Sequence, residues 1–227
     1  KNAGKAQPGH GDARLWDAQP TPTVKIDQTH LVSCFAGSRF FGPFLKDSLP
    51  LELLPAAGRH QITMQTKPYG HEAGYRDIFD LPAPPQIARA RIKHLTFYDD
   101  FGQNSAKAAR YGVMRDRLRR KMTTPDHTPP VGVYLKRGAT GEARILTNEA
   151  ALETRLSALG FDCVTPSEMT AQEITKRILG APIVISVEGS HMSHAVYSMA
   201  DKAALVVLQP PDRFAMAFKE FTDRIDI

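Results

Sequence analysis

Apolar positions in this chain fall into short runs between Gly, Pro and polar clusters, and their rhythm changes near the middle. Residues 1–25 carry little apolar pattern beyond Trp16 and read as an extended arm. Residues 29–36 read as a strand ending in a Gly37–Ser38 turn. Phe41, Phe44, Leu45, Leu49 and Leu53 then recur at helical spacing. Pro50 falls inside that run and lacks the N–H a helix interior needs, so the helix is expected to start or kink there. Residues 61–65 and 92–98 read as strands. Residues 103–122 read as a long basic helix with Ala109, Val113 and Leu118 inward.

Three prolines within 123–130 mark a linker. Beyond it the pattern is regular: strands at 131–135, 161–164, 182–187 and 203–208 alternate with helical segments. Leu152, Leu156 and Leu159 line one helix, which Thr147 or Asn148 can cap and Gly160 can end. Thr170 and Glu173 form a capping box ahead of Ile174 and Ile178. The 182–187 run is apolar throughout, as in a strand buried on both faces. This alternation predicts an α/β protein with a parallel sheet flanked by helices in its C-terminal half. The expected organisation is an arm at 1–25, an α/β domain at 26–124 and a Rossmann-like domain at 131–227.

The 227 residues hold 42% apolar and 23% charged side chains, a globular balance, with no apolar run long enough for a membrane helix. The chain opens without Met and without a charged-then-apolar leader, so it is read as able to begin inside a longer protein. Cys34 and Cys163 are too few and too far apart for a disulfide framework or a metal quartet. The net charge of +5 is uneven: residues 1–128 hold 19 basic and 12 acidic side chains, residues 129–227 hold 10 and 12. A basic first half favours anionic partners such as phosphorylated substrates, lipid head groups or nucleic acid.

In a parallel sheet, ligands bind beyond the carboxyl ends of the strands. Three segments fall there. Lys136-Arg137-Gly138 with Arg144 suits a bidentate diphosphate clamp, or else a solvated basic turn. Thr147-Asn148-Glu149 suits a helix cap with an acidic first turn. Ser186 to His194 brings Glu188, three serines, His191 and His194 to a strand-to-helix turn, with Gly189 permitting close approach of an anion. The spacing of Glu188, His191 and His194 lacks a zinc-hydrolase pattern and a fourth ligand, so metal binding is the weaker reading. Asp47, an acid among apolar neighbours, reads as a cap for the helix after Pro50 or as a group facing a cleft.

Together these segments resemble the family-61 glycosyltransferases, whose bacterial members are often labelled capsular polysaccharide biosynthesis proteins. The resemblance rests on Tyr134-Leu135-Lys136-Arg137, on Arg144-Ile145-Leu146-Thr147-Asn148-Glu149, and on the Leu156 to Phe161 segment. Val164-Thr165-Pro166-Ser167-Glu168, Ala171-Gln172-Glu173, Glu188-Gly189-Ser190-His191 and Leu208-Gln209-Pro210-Pro211 extend it in the same order. Upstream, Phe41 to Pro50 resembles the family's Gly-His-Phe-Leu-x-Asp-x-Leu-Pro segment, with Pro43 where His is usual. Glu188 likewise stands where the eukaryotic branch has His.

The resemblance implies a two-domain glycosyltransferase B fold and inverting transfer from a nucleotide sugar to a glycan or lipid-linked acceptor in surface polysaccharide assembly. It assigns Arg137, Arg144, Asn148, Glu149, Gly189 and Ser190 to the donor, and Asp47, Glu188 and His191 as candidate bases. No cofactor or metal is required on this reading, because protein groups neutralise the phosphates. The expected location is cytoplasmic, at the inner face of the plasma membrane, where the 110–121 helix would meet anionic lipid or the acceptor. Nucleic acid is not an expected partner, since the basic stretch lacks interleaved aromatics. A non-catalytic nucleotide- or glycan-binding relative is the alternative reading.

Overall fold

The computed structural model describes residues 24–56, 58–64, 67–138, 144–212 and 214–227. The expected arm at 1–25, with Trp16, lies almost wholly outside them. Two parallel sheets carry the architecture. The first contains β1 (Val24–Leu31), β2 (Gln61–Ile62) and β3 (Ala90–Phe97) in the order β2-β1-β3. The second contains β4 (Val133–Leu135), β5 (Asp162–Val164), β6 (Ile183–Val187) and β7 (Ala204–Leu208) in the order β5-β4-β6-β7. Every strand pair in both sheets is parallel, with Leu135 opposite Ser186 and Val187 opposite Leu208.

Each order reverses direction beside its first strand. The chain leaves β1 for β2 on one side and returns to β3 on the other; it leaves β4 for β5 and returns to β6. Such a reversal opens a crevice at the strands' carboxyl ends, where no helix covers both neighbours.

Between β1 and β2 runs a helix in three pieces: α1 (Phe41–Pro43), a π turn (Phe44–Ser48) and α2 (Leu49–Leu51). Leu49 N–H reaches back five residues to the Phe44 carbonyl. Pro50, which cannot donate, is thus accommodated one residue after a locally widened turn rather than starting the helix. The other helices are α3 (Glu72–Phe79), α4 (Ser105–Met122), α5 (Glu149–Ala158), α6 (Ala171–Ile178), α7 (Ser193–Val196) and α8 (Lys219–Thr222). No described helix is long and apolar enough to cross a membrane.

The capping box forms: Thr170 Oγ1 accepts from Glu173 N–H while the Glu173 carboxylate accepts from Thr170 N–H. Asn148 occupies the cap position of α5 but makes no capping bond through its side chain. Leu156 is buried in α5, whereas Leu159 lies exposed. The inward face of α4 is Tyr111, Met114 and Leu118, and Val113 points to solvent. The strand at 29–36 begins earlier and ends earlier, at Val24–Leu31, and α3 falls in a stretch with no expected element.

The linker expected at 123–130 carries no helix or strand, and His127 ties it to the sheet side by donating to the Leu179 carbonyl at 2.9 Å. One core cluster nevertheless crosses it. Phe44, Leu45, Tyr75, Tyr111 and Met114 pack with Val196, Tyr197, Phe218 and Phe221. A second, aliphatic cluster lies under the C-terminal sheet around Val133, Val164, Ile174, Ile178 and Val184.

The basic charges of α4 are largely used inside the molecule. Arg115 donates to the Ile225 and Met199 carbonyls at 2.9 and 2.8 Å and to Asp201. Arg110 pairs with Asp100, Arg117 donates to the Phe79 carbonyl, Arg119 pairs with Asp201 and Lys121 with Asp77. Arginine forks on carbonyls hold the last turns of neighbouring segments, which need acceptors satisfied once buried.

Candidate functional site

The C-terminal crevice lies between the ends of β4 and β6. Arg137 follows β4 by two residues, and Glu188 follows β6 directly. Arg137 Nη1 donates to the Glu188 carbonyl at 3.2 Å, and Arg144 Nη1 donates to the same oxygen at 3.1 Å. Arg144 also pairs with the Glu188 carboxylate at 2.8 Å, with both side chains largely buried. Two guanidinium groups from separate segments therefore meet at one turn, and the arrangement is positive at the mouth of a crevice. Gly189 is buried beneath the Arg137 guanidinium, which leaves no space for a side chain there.

After Gly189 the chain enters a 3₁₀ turn (Ser190–Met192) and then α7. His191 Nε2 lies 2.7 Å from Ser186 Oγ, whose hydroxyl also lies 2.7 Å from the Leu135 carbonyl. A serine hydroxyl has one proton to give, and the carbonyl can only accept it. The imidazole therefore donates through Nε2, leaving Nδ1 as the bare nitrogen. Nδ1 is sealed from solvent and has no hydrogen-bond partner among the described residues. Burial, reinforced by Arg137 and Arg144, depresses the His191 pKa to about 3. The ring is neutral at ordinary pH and offers a lone pair beside the arginines.

His194, one turn on, belongs to a different constellation. Its Nδ1 lies 2.7 Å from Tyr75 Oη, and its ring meets Phe41 and His71 at 4.6 and 4.7 Å. His71 donates from Nε2 to the carbonyls of Met169 and Pro166. Burial, with His71 and His191 nearby, keeps His194 well below the usual histidine pKa. This group joins α1, α3 and the 166–169 turn, and its use is to hold the two sheets' helices together.

The remaining donor candidates stand apart from the arginines. Glu149 accepts from Tyr134 Oη at 2.8 Å, a bond that ties α5 to β4. Asn148 is exposed. Among the described residues no three His, Cys, Asp or Glu side chains are grouped to hold a metal ion.

Asp47 lies at the second crevice. Its carboxylate accepts from Lys107 Nζ at 2.7 Å, and its side chain is about one-third exposed while Lys107 is almost fully buried. Lys107 also donates to the Asp100 carbonyl at 3.2 Å. Around them is a hollow of about 550 Å³ formed by residues after β1, after β3, on the 41–51 helix and in the 217–221 segment. The two crevices are neighbours: Gly42 Cα faces Ser190 and Ser193, with room for no more than a tight side chain, and Pro43 lines the hollow.

Of the residues singled out in the sequence, the structure brings Arg137, Arg144 and the Glu188–His191 turn together and sets Asp47 at the second hollow; Ser186 as partner of His191 and Lys107 as partner of Asp47 were not foreseen. Ser186 was legible as the one hydroxyl in an apolar strand. Lys107 was hidden in a run of basic residues that reads in sequence as a solvent-facing helix surface. A family model described as Glycosyltransferase 61 matches residues 41–206, from the 41–51 helix through most of β7. Comparison with curated proteins found no match.

Proposed function

Because this chain belongs to glycosyltransferase family 61 and is on that ground a glycosyltransferase, we propose that it moves a sugar from a nucleoside-diphosphate donor in the β4–β6 crevice to a hydroxyl of a glycan or lipid-linked acceptor in the β1–β3 crevice. The observation that carries this reading is the meeting of Arg137 and Arg144 at the Glu188 carbonyl. A doubly charged diphosphate attracts guanidinium groups more strongly than a neutral carbonyl does, so it can draw both arginines off that oxygen while Arg144 keeps the Glu188 carboxylate as a second partner. Backbone amides at Gly189 and Ser190 add to the positive end. The two parallel sheets are, on this reading, the two halves of a glycosyltransferase B arrangement. The Glu188-Gly189-Ser190-His191 turn, which resembles a bacterial variant of the family's turn, favours a role in surface polysaccharide assembly.

Transfer needs a base at the acceptor and charge stabilisation at the leaving group. The acceptor hydroxyl gives its proton to the base as its oxygen bonds to the anomeric carbon. The bond from that carbon to the phosphate oxygen breaks, and the nucleoside diphosphate leaves with the electron pair. Attack from the face opposite the leaving group inverts the anomeric centre. Asp47 is the best-placed base: it lines the open hollow, and Lys107 fixes its orientation. His191 is held neutral with a conjugate acid near 3, which makes it a weak base and suits it to orienting the donor. Glu188, paired to Arg144, suits holding that arginine in place. With two arginines on the phosphates, no metal is required.

Calorimetry with nucleoside diphosphates tests the donor crevice. Arg144→Ala is expected to abolish binding, and unchanged affinity would remove the assignment. Incubation with sugar nucleotides and glycans then separates the catalyst from its alternative, since donor binding without transfer or donor hydrolysis marks a non-catalytic relative.

A further inference from the structure

The hollow at the ends of β1 and β3 has a chemistry of its own. Phe35 and Phe101 stand at its edge largely exposed, at 76% and 88%, and Tyr98, directly after β3, lines it too. Exposed aromatics clustered at a cavity mouth are costly in water and mark a binding surface. Tyr98 is held rigid by a 2.7 Å bond between its hydroxyl and His30 Nδ1.

The wall behind them is polar and short of hydrogen-bond donors. Asp100 Oδ2, Gln103 Oε1 and Tyr111 Oη are buried and short of good hydrogen bonds: Lys107 Nζ stands 3.9 Å from the Asp100 oxygen, and Gln103 and the Tyr111 phenol make at most a poor bond to each other. Two of these three atoms can only accept, so they call for a ligand that brings N–H or O–H groups. A carboxylate or phosphate brings none.

Charge points the same way. Asp47, Asp99, Asp100 and Glu220 line the hollow; Asp100 pairs with Arg110, and the two lining ammonium groups are engaged as well. Lys107 serves Asp47 and the Asp100 carbonyl. Lys46 donates to the Ala217 carbonyl and lies 4.3 Å from the centre of the Phe218 ring. Asp99 and Glu220 are exposed at the edge. The field there repels anions.

We propose that this hollow binds the terminal ring of an uncharged or amine-bearing sugar and rejects uronate and phosphate groups. A sugar ring has apolar C–H faces for the aromatics and a rim of hydroxyl donors for the orphaned oxygens, which matches a mostly apolar site with a few directed polar groups. That this ring is the acceptor rests on the glycosyltransferase reading; that it binds does not. The reacting end of the acceptor is then a plain or amino sugar, and any lipid phosphate lies farther along the molecule, outside the hollow.

Saturation-transfer NMR and calorimetry on the full chain, without nucleotide, test it with methyl glucoside, methyl galactoside, methyl mannoside, glucosamine, glucuronate and glucose 6-phosphate. At least one neutral or amino sugar is expected to bind, with the two anionic sugars about tenfold weaker or undetectable. Phe101→Ala is expected to weaken the bound sugar by about tenfold, the scale of one aromatic contact. The Asp99→Asn, Glu220→Gln double variant should narrow the gap between neutral and anionic sugars. Binding of none of the panel, equal binding of the anionic sugars, or indifference to Phe101→Ala overturns the proposal. A parallel titration with nucleoside diphosphate keeps the two readings apart, because its failure with sugar selection intact counts against the donor crevice alone.

Discussion

Ser186 and His191 share a 2.7 Å hydrogen bond that decides which imidazole nitrogen is bare. Because Ser186 spends its single proton on a backbone carbonyl, the histidine must donate, and its second nitrogen is left as an acceptor under the arginines. An imidazolium there would face two guanidinium groups in a dry site. The fold therefore keeps this ring uncharged.

The acid side of the stability curve should record that choice. The folded His191 pKa, about 3, lies below its ordinary 6.5, so between those values the unfolded chain binds a proton that the native state refuses. The stabilisation is complete above 6.5 and is lost as pH falls toward 3, at about 1.4 kcal/mol per pH unit for one proton. His191→Gln keeps a donor near the Nε2 position but cannot titrate. Denaturant unfolding at pH 7, 6 and 5 should show the gap between wild type and variant shrinking as pH falls. A gap constant across that range would mean the ring is not the titrating group.

Gly189 should tolerate no side chain while Arg137 is in place. A methyl group there runs into the Arg137 guanidinium, the flexible end of a long side chain, so the protein should fold and Arg137 should yield. Gly189→Ala is expected to lower nucleoside-diphosphate affinity by about tenfold or more, the size of one charged hydrogen bond. In an Arg137→Ala background the same change should cost little more, since the clash is already gone. Additive losses would show that the backbone, rather than the arginine, needs the glycine.

Arg76 stands between two buried carboxylates. It meets both oxygens of Glu52 at 2.9 and 3.0 Å and Glu72 at 2.8 Å. Arg76→Met should cost about 3–5 kcal/mol, chiefly by leaving the buried Glu52 without the guanidinium that pairs with it. The loss should depend on pH. Burial already raises Glu52 to about 7 against the opposing pull of Arg76, and removing that pull raises it further. A carboxyl whose folded value exceeds its ordinary 4.5 gives its stabilisation fully below 4.5 and loses it as pH rises through the folded value. Melting curves should therefore separate wild type and variant least near pH 5 and most near pH 8.

How far the sequence was legible follows from where each element finds its partners. The central strands β4 and β6 are largely buried, so their apolar runs stand out, whereas the edge strand β7, read as buried, leaves Val206 exposed; Thr170 with Glu173 spells out a helix start within four residues. Helix α3 escaped because half of its buried face is Glu72 and Arg76, charges that go inside by pairing with each other and with Glu52. The same holds for α4, whose interior face includes Lys107, Arg110 and Arg115, so that Val113 was the natural and mistaken choice for an inward position. Arg137, Arg144 and Glu188 were recognisable as parts, because each follows a readable strand or sits in a quoted motif. Their meeting at one carbonyl depends on β4 and β6 being neighbours, which no local spacing records. The sugar-sized hollow is the extreme case, drawn from four separate stretches of chain.

Asp47→Asn bears most directly on the chemistry. The amide keeps the shape and can still accept from Lys107, so the fold should survive with a loss of about 1–2 kcal/mol from a weakened buried bond. It cannot take a proton from an acceptor hydroxyl. Transfer should fall by about 10²–10⁴-fold, the usual worth of a general base, while nucleoside-diphosphate affinity stays within about twofold of wild type. Steady-state transfer with a matched donor and acceptor, alongside calorimetry, reads both. A rate loss below about tenfold would move the base to the Glu188–His191 turn, and Arg144 would then have to release Glu188 before each turnover.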